Sequence, residues 1–426
     1  MKTKLVVLSM LLMAACFTVD AQMRREDIHT DFVTYSKRKL LQKDLQENVI
    51  GKAVSFPVDS TTEFRFEYAC RAITQFLVAD EQSRTVCDKL FASYSTLEYD
   101  TRQALLEAIY AVYPATYQAE VNNILSSEQE PKLFAMAAVY LYRNDPSATF
   151  LNKINARLNS GFAGYDTIPV LAELKKYLSN YHQQVQQPTP SLSNLFNYAP
   201  QLKQKVIYSF QRWNRDYAGM AIVQNADGSF VRHPDGRLMV FEQLARSASD
   251  LPYFLTDGST PQGVYRITGT AVSNNKLIGP TPNLQMIMPY ESYWANYFYQ
   301  PEDSVVDMLN PYLQLLPPTW RTYTPMREAY YAGKIGRTAI IAHGTTIDPE
   351  YFSNKPFYPL TPTMGCLCAK ELWNVTNGNL LISEQWNLVS AFISSPGSKG
   401  YLYVINVDNQ QKPVTRQEVE EWVKKK

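Results

Sequence analysis

The sequence predicts an α+β multidomain chain, an all-α helical part followed by a mainly-β part, and three observations carry that reading. Apolar residues recur at three- and four-residue steps from about Glu63 to Tyr181, the helical period. After Asp216, short apolar runs alternate with the turns Asp227-Gly228 and Pro234-Asp235-Gly236, as antiparallel hairpins require. Between the two regimes lies a polar stretch containing Gln186-Gln187-Pro188, of linker composition.

The helical signal is carried by Phe64–Leu77, Thr85–Ala92, Tyr99–Tyr113, Tyr117–Leu125 and Lys132–Tyr142. Pro114 and Pro131 punctuate it, and Asp100, Ser126 and Ser127 are candidate caps. Consecutive helices joined by short loops predict either a repeat-like stack of helical hairpins or a plain bundle, and no sharp repeat decides between them. Such a part is expected to bind or position a protein or glycan partner, since none of its residues is of a catalytic kind. One further amphipathic helix is expected to lead into the β part, where strand-like runs fall at Gly263–Gly269, Leu284–Met288, Thr338–Ala342 and Tyr401–Val407. The chain closes on the capping box Thr415-Arg-Gln-Glu418 ahead of Val419 and Trp422. The predicted division is a leader over 1–21, a helical domain over 22–185, a linker over 186–194, a connecting helix over 195–215, a β-rich domain over 216–410 and a terminal helix over 411–426.

The leader reads as a secretory signal peptide. Met-Lys-Thr-Lys is followed by the apolar run Leu5–Cys16 and by Ala21, after which cleavage is expected. Met13-Ala-Ala-Cys16 is also a loose lipoprotein box, which would leave Cys16 lipid-anchored. No other stretch is long enough to cross a bilayer, so the mature chain is expected in the periplasm or cell envelope without a transmembrane span. A formal net charge of +1 gives no electrostatic footprint for nucleic acid. The 29 Tyr and 6 Trp supply flat surfaces suited to peptides or sugars as well as to a core.

Cys70, Cys87, Cys366 and Cys368 follow the leader. The first two either bridge neighbouring helices or pack as free thiols. Cys366 and Cys368 are too close in sequence for an unstrained mutual disulfide, so that pair needs another explanation. Three segments of the β part supply one. Thr260-Pro-Gln-Gly263-Val-Tyr265-Arg-Ile267 is a turn running straight into a strand, and Ala342-His343-Gly344-Thr345 puts a histidine at a strand end. Thr363-Met364-Gly365-Cys366-Leu367-Cys368 follows a Pro- and Tyr-rich loop. A thiol attacks as its thiolate, a nearby imidazole can take the proton, and a third group must orient that imidazole. Glycines at 344 and 365 let backbone approach a substrate closely.

Together and in this order, the three segments resemble the catalytic domain of the L,D-transpeptidases of the YkuD type, over roughly Tyr217 to Val407. The resemblance implies a β-rich catalytic domain acting on peptidoglycan stem peptides, cut after a meso-diaminopimelate or similar residue, with no cofactor and no metal. It makes Cys366 the acylated nucleophile and His343 the general base, oriented by the carbonyl of Gly344 or Thr345. Gly365 and Cys366 become oxyanion donors in a loop with Thr363 and Cys368. Two positions depart from the family pattern: Met364 stands where it has His, and Cys368 where it has Arg. Either Arg337 or Lys370 replaces that cation, or the donor substrate differs. Tyr290 and Trp294, with Thr345 and Arg337, are expected to touch substrate. The rival readings are an inactive peptidoglycan-binding or scaffold protein on the same fold, an L,D-carboxypeptidase using water, and a zinc site on His343, Cys366 and Cys368.

Overall fold

Eight strands close into a barrel in the order β1-β10-β4-β5-β6-β7-β3-β2. They are β1 (Lys205–Arg212), β2 (Gly219–Gln224), β3 (Phe241–Leu244), β4 (Gly263–Ala271), β5 (Asn283–Ile287), β6 (Ala342–His343), β7 (Leu367–Ala369) and β10 (Gly400–Asp408). The remaining pair, β8 (Glu371–Trp373) and β9 (Leu380–Ser383), forms a separate hairpin. The computed structural model describes residues 24–184, 188–298 and 308–426. The leader with Cys16, and residues 185–187 where the linker begins, lie outside the described residues. Among the described residues, no helix is long and apolar enough to cross a membrane.

The expected connecting helix over 195–215 is the main correction. A helix covers only Leu192–Tyr198, a short 3₁₀ turn follows, and Lys205–Arg212 is strand β1, buried at every position. Tyr208 and Phe210 enter one core while Ile207 enters another. A strand covered on both faces is a continuous apolar run, which spacing alone does not separate from a buried helix. The Thr338–Ala342 strand also shrinks, since only Ala342 and His343 join the ladder. The other strand and turn expectations hold. Gly228 and Gly236 take positive φ at the tips of the two hairpins, and Thr415 and Glu418 cap the last helix reciprocally.

The helical half is a two-row stack of hairpins. Glu63–Phe76, Tyr99–Val112, Pro131–Asn144 and Pro169–Gln184 pack side by side as one row. Glu81–Ala92, Gln118–Ser127 and Ala148–Gly161 form the other. Tyr99–Val112 and Pro131–Asn144 are sandwiched, so residues 103–110 and 133–142 are buried on all sides. Pro131 is a first-turn residue as expected, but Asp80 with Ser83 forms the capping box, and Ser126 and Ser127 end a helix rather than start one. Cys70 and Cys87 are free, buried thiols.

The two halves share one core. Leu251, Phe254, Leu255, Phe352 and Phe357 of the β part belong to the apolar cluster built around the helices. Ile28 and Val33, expected to open the helical domain, instead pack on Trp373 and Leu380 of the β8–β9 hairpin. Burial pushes Glu107 up to about 8 and Glu328 and Glu371 each up to about 7. These groups hold protons in the folded state at a pH where the unfolded chain has released them, so they favour folding less as pH rises from 4.5 to 8. His343, pushed the other way by burial, opposes this with a single group. Thermal melts should therefore show a lower melting temperature at pH 8 than at pH 5, each glutamate accounting for roughly 1–3 kcal/mol.

Candidate active site

Parallel pairing of β6 with β7 sets the histidine beside Cys368 and brings the bend carrying Cys366 next to the start of β6. Ala342 pairs with Leu367 and His343 with Cys368, and Leu367 N–H donates to the Ile341 carbonyl at 3.0 Å. Ala342 and Leu367 turn into the apolar core. By the alternation of a strand, His343 and Cys368 share the opposite face, and Cys366 lies in the bend that leads into β7. Cys366 lies one strand across and two residues back from His343, so strand spacing and rise put their Cα atoms about 8 Å apart.

The His343 ring is held by its own turn. Nδ1 is 2.5 Å from the Gly344 carbonyl oxygen, which can only accept, so Nδ1 carries the proton and Nε2 presents its lone pair. Burial pushes the imidazole below its usual value, partly offset by that carbonyl. Gly344 is required by a neighbour: a Cβ there would meet the Glu371 carboxyl at 2.2 Å. Glu371 in turn accepts from Thr345 N–H at 2.8 Å and from Ser383 at 2.6 Å. Thr345 is buried, with its carbonyl taken by Trp373 Nε1 and its hydroxyl by Leu277 and Ile347. It braces the histidine turn and has no face left for substrate, which corrects its expected role.

Cys366 is half-buried, while Cys70, Cys87 and Cys368 are buried. Its sulfur receives the Ile341 N–H at 3.4 Å and faces the Ala339 carbonyl at 3.5 Å. Desolvation pushes the thiol up to about 11, against the Ile341 N–H and the Arg337 charge, which favour the thiolate. The resting pair is thus thiol plus neutral imidazole. The Cys368 sulfur lies at hydrogen-bonding distance from Thr361 Oγ1 and from the carbonyl of its neighbour Ala369, and burial pushes the thiol up to about 12. Among the described residues, no group of three or more His, Cys, Asp and Glu is placed to hold a metal.

The loop carrying Cys366 is pinned on three sides. Thr363 Oγ1 accepts from Gly365 N–H at 3.0 Å and donates to the Cys366 carbonyl at 2.8 Å. The Gly365 N–H is therefore taken, which corrects its assignment as an oxyanion donor. Thr260, first residue of the turn-to-strand motif, donates to the Gly365 carbonyl at 2.9 Å. Beneath lies Arg337, buried, donating to the carbonyls of Tyr253, Gly258 and Ser259. With those bonds made it is a brace carrying charge, not a substrate clamp. Lys370 pairs with Glu242 at 2.9 Å and is not part of the site. Thr363→Val keeps the shape and removes both hydroxyl bonds, so it should cost about 1–3 kcal/mol in a denaturant melt and slow alkylation of Cys366.

Tyr290 is exposed and its hydroxyl meets that of Tyr330 at 2.6 Å. Trp294 opens the short helix Trp294–Phe298, and its side chain lies outside the described residues. Glu291, without a role in the sequence reading, accepts from Ala339 N–H at 2.6 Å and Met288 N–H at 2.9 Å. It joins the tyrosine turn to the wall behind Cys366. Six described residues other than glycine have positive φ, and Leu77 and Lys203 among them end helices. The remaining four, Asp250, Asp257, Tyr290 and Ala339, lie in the segments around the Cys366 loop, the kind of place where backbone strain collects at working sites. Glu371 and Glu291 were detectable in principle as lone acids inside apolar runs, but nothing in their sequence neighbourhood links them to His343 or Cys366. No family model matches the chain, and neither a curated protein nor a solved structure does.

Proposed function

We propose that the chain is a cell-envelope cysteine L,D-transpeptidase of peptidoglycan stem peptides, working after export, with Cys366 as nucleophile and His343 as general base. The observation that supports this reading is a half-buried thiol at the head of β7, the strand paired with the one carrying His343, whose Nδ1 is fixed by the Gly344 carbonyl. Nε2 takes the thiol proton as sulfur attacks the donor carbonyl. The tetrahedral oxyanion collapses, the terminal D-residue leaves as an amine with the proton from the imidazolium, and a thioester remains on Cys366. An acceptor amine then attacks that thioester, His343 removes its proton, and the proton returns to sulfur. With the Gly365 N–H taken by Thr363, the Cys366 N–H becomes the oxyanion donor. Tyr290, exposed at the rim, is the substrate contact in this scheme.

The resting thiol at about 11 suits this scheme. A neutral pair shifts its proton only when substrate arrives, which limits side reactions of a free thiolate. Mass spectrometry of a stem tetrapeptide incubated with the protein should show release of the terminal D-residue by wild type and none by Cys366→Ala. Equal release by both would remove Cys366 from the reaction.

A further inference from the structure

The helical half holds no residue suited to the chemistry, yet it grips the segment under the Cys366 loop. That segment, residues 251–259, is held on its outer side by three helices. Tyr253 donates its hydroxyl to Glu173 on Pro169–Gln184. Lys132, on Pro131–Asn144, donates from Nζ to Thr256 Oγ1 at 2.9 Å. Glu107, on Tyr99–Val112, is wholly buried, bonded by Gln103 Nε2 at 2.8 Å, and faces Asp257. Phe254 and Leu255 fill the gaps as part of the helical core, with Phe254 5.4 Å from Tyr177 ring to ring.

On its inner side the same segment presents the carbonyls of Tyr253, Gly258 and Ser259 to Arg337. The guanidinium ends against Gly365, where a Cβ would come within 2.4 Å of Nη2, and its charge favours the thiolate of Cys366. Asp257, at positive φ, disfavours that thiolate and is itself surrounded by Arg337, Arg71 and Lys132. One short segment thus sets the place of two of the charges that act on the sulfur, while Glu291, held by the Met288 and Ala339 N–H groups, disfavours the thiolate from outside that segment.

We propose that Glu173, Lys132 and Glu107 are positioning residues for Cys366, acting through the 251–259 segment and Arg337, so that the helical half is part of the reactive site. This rests on Cys366 being the nucleophile. The helical half then does more than tether or dock the β part. Displacing the segment moves Arg337 away from the sulfur, raises the thiol further and lowers its reactivity.

The test is alkylation of the full-length protein by iodoacetamide, followed residue by residue by mass spectrometry from pH 6 to 10, on wild type and three variants. The buried Cys70, Cys87 and Cys368 serve as internal references. In the double variant Tyr253→Phe/Lys132→Met, and separately in Glu107→Gln, the Cys366 profile is expected to move to higher pH. Its rate at pH 8 should fall about threefold or more, at unchanged reference cysteines and a folded circular-dichroism signature. Lys132→Arg should restore most of the rate, which a loss of general stability would not allow. A wild-type profile in all folded variants overturns the inference and leaves Cys366 as nucleophile intact. A wild-type Cys366 that resists alkylation across the whole range overturns both. Should the double variant not fold, Glu107→Gln alone decides.

Discussion

His343→Gln is expected to slow acylation of Cys366 by roughly 10²–10⁴-fold, the usual worth of a positioned general base. The effect is large because the site does nothing else to deprotonate the thiol. Burial has raised it to about 11, and only the Ile341 N–H and the Arg337 guanidinium favour the thiolate. Glutamine fills much of the imidazole's space but cannot take a proton. The pH dependence gives a second readout. In wild type the acylation rate should fall on the acid side as the imidazole becomes protonated, at a pH below the ordinary histidine value because burial disfavours the charged ring. In His343→Gln that acid limb should vanish and the rate should climb steadily with thiolate concentration. A time course of adduct formation by intact mass at several pH values measures both.

Gly365→Ala is the second large effect, expected to cost about 2–4 kcal/mol of stability and to stop acylation in whatever remains folded. Its φ of +114° strains any L side chain there, and the new methyl would stand 2.4 Å from Arg337 Nη2 and 2.9 Å from the Gly258 carbonyl. Neither neighbour can yield cheaply, because Arg337 is held by three carbonyls and Gly258 is backbone. The loop would have to lift, breaking the Thr260 bond to the Gly365 carbonyl and moving the sulfur. Denaturant melts and iodoacetamide rates on the same preparation separate the two losses. By contrast, Gly236→Ala, at a hairpin tip with nothing nearby, should cost only the strain of its positive φ.

Local signals in the sequence were legible where one element decided them. The helical period, the Asp-Gly hairpins and the Thr415 capping box each depend on a few neighbouring residues, and the structure has them where the sequence puts them. The spacing predicts a helix where strand β1 stands, because the burial of that strand on both faces comes from elements elsewhere in the chain. The site divides the same way. Cys366 and His343 stand out by residue type and glycine neighbours, and the parallel pairing of β6 with β7 brings the segments that carry them side by side. Thr345, Gly365 and Arg337 were given substrate or oxyanion roles because the sequence does not reveal their partners. Those partners, Glu371, Thr363 and the 253–259 carbonyls, already occupy their polar atoms. Glu371 and Glu291 carry no mark in the sequence for the converse reason, since each matters only through a contact made by the fold.

The central claim, that Cys366 is an activated acyl acceptor, is tested most directly by intact mass spectrometry after incubation with a carbapenem. Wild type, Cys366→Ala and Cys368→Ala are compared. The account predicts one drug-sized adduct on wild type and on Cys368→Ala, and none on Cys366→Ala. A folded, reduced wild type that takes up no drug, or an adduct that survives in Cys366→Ala, would contradict it.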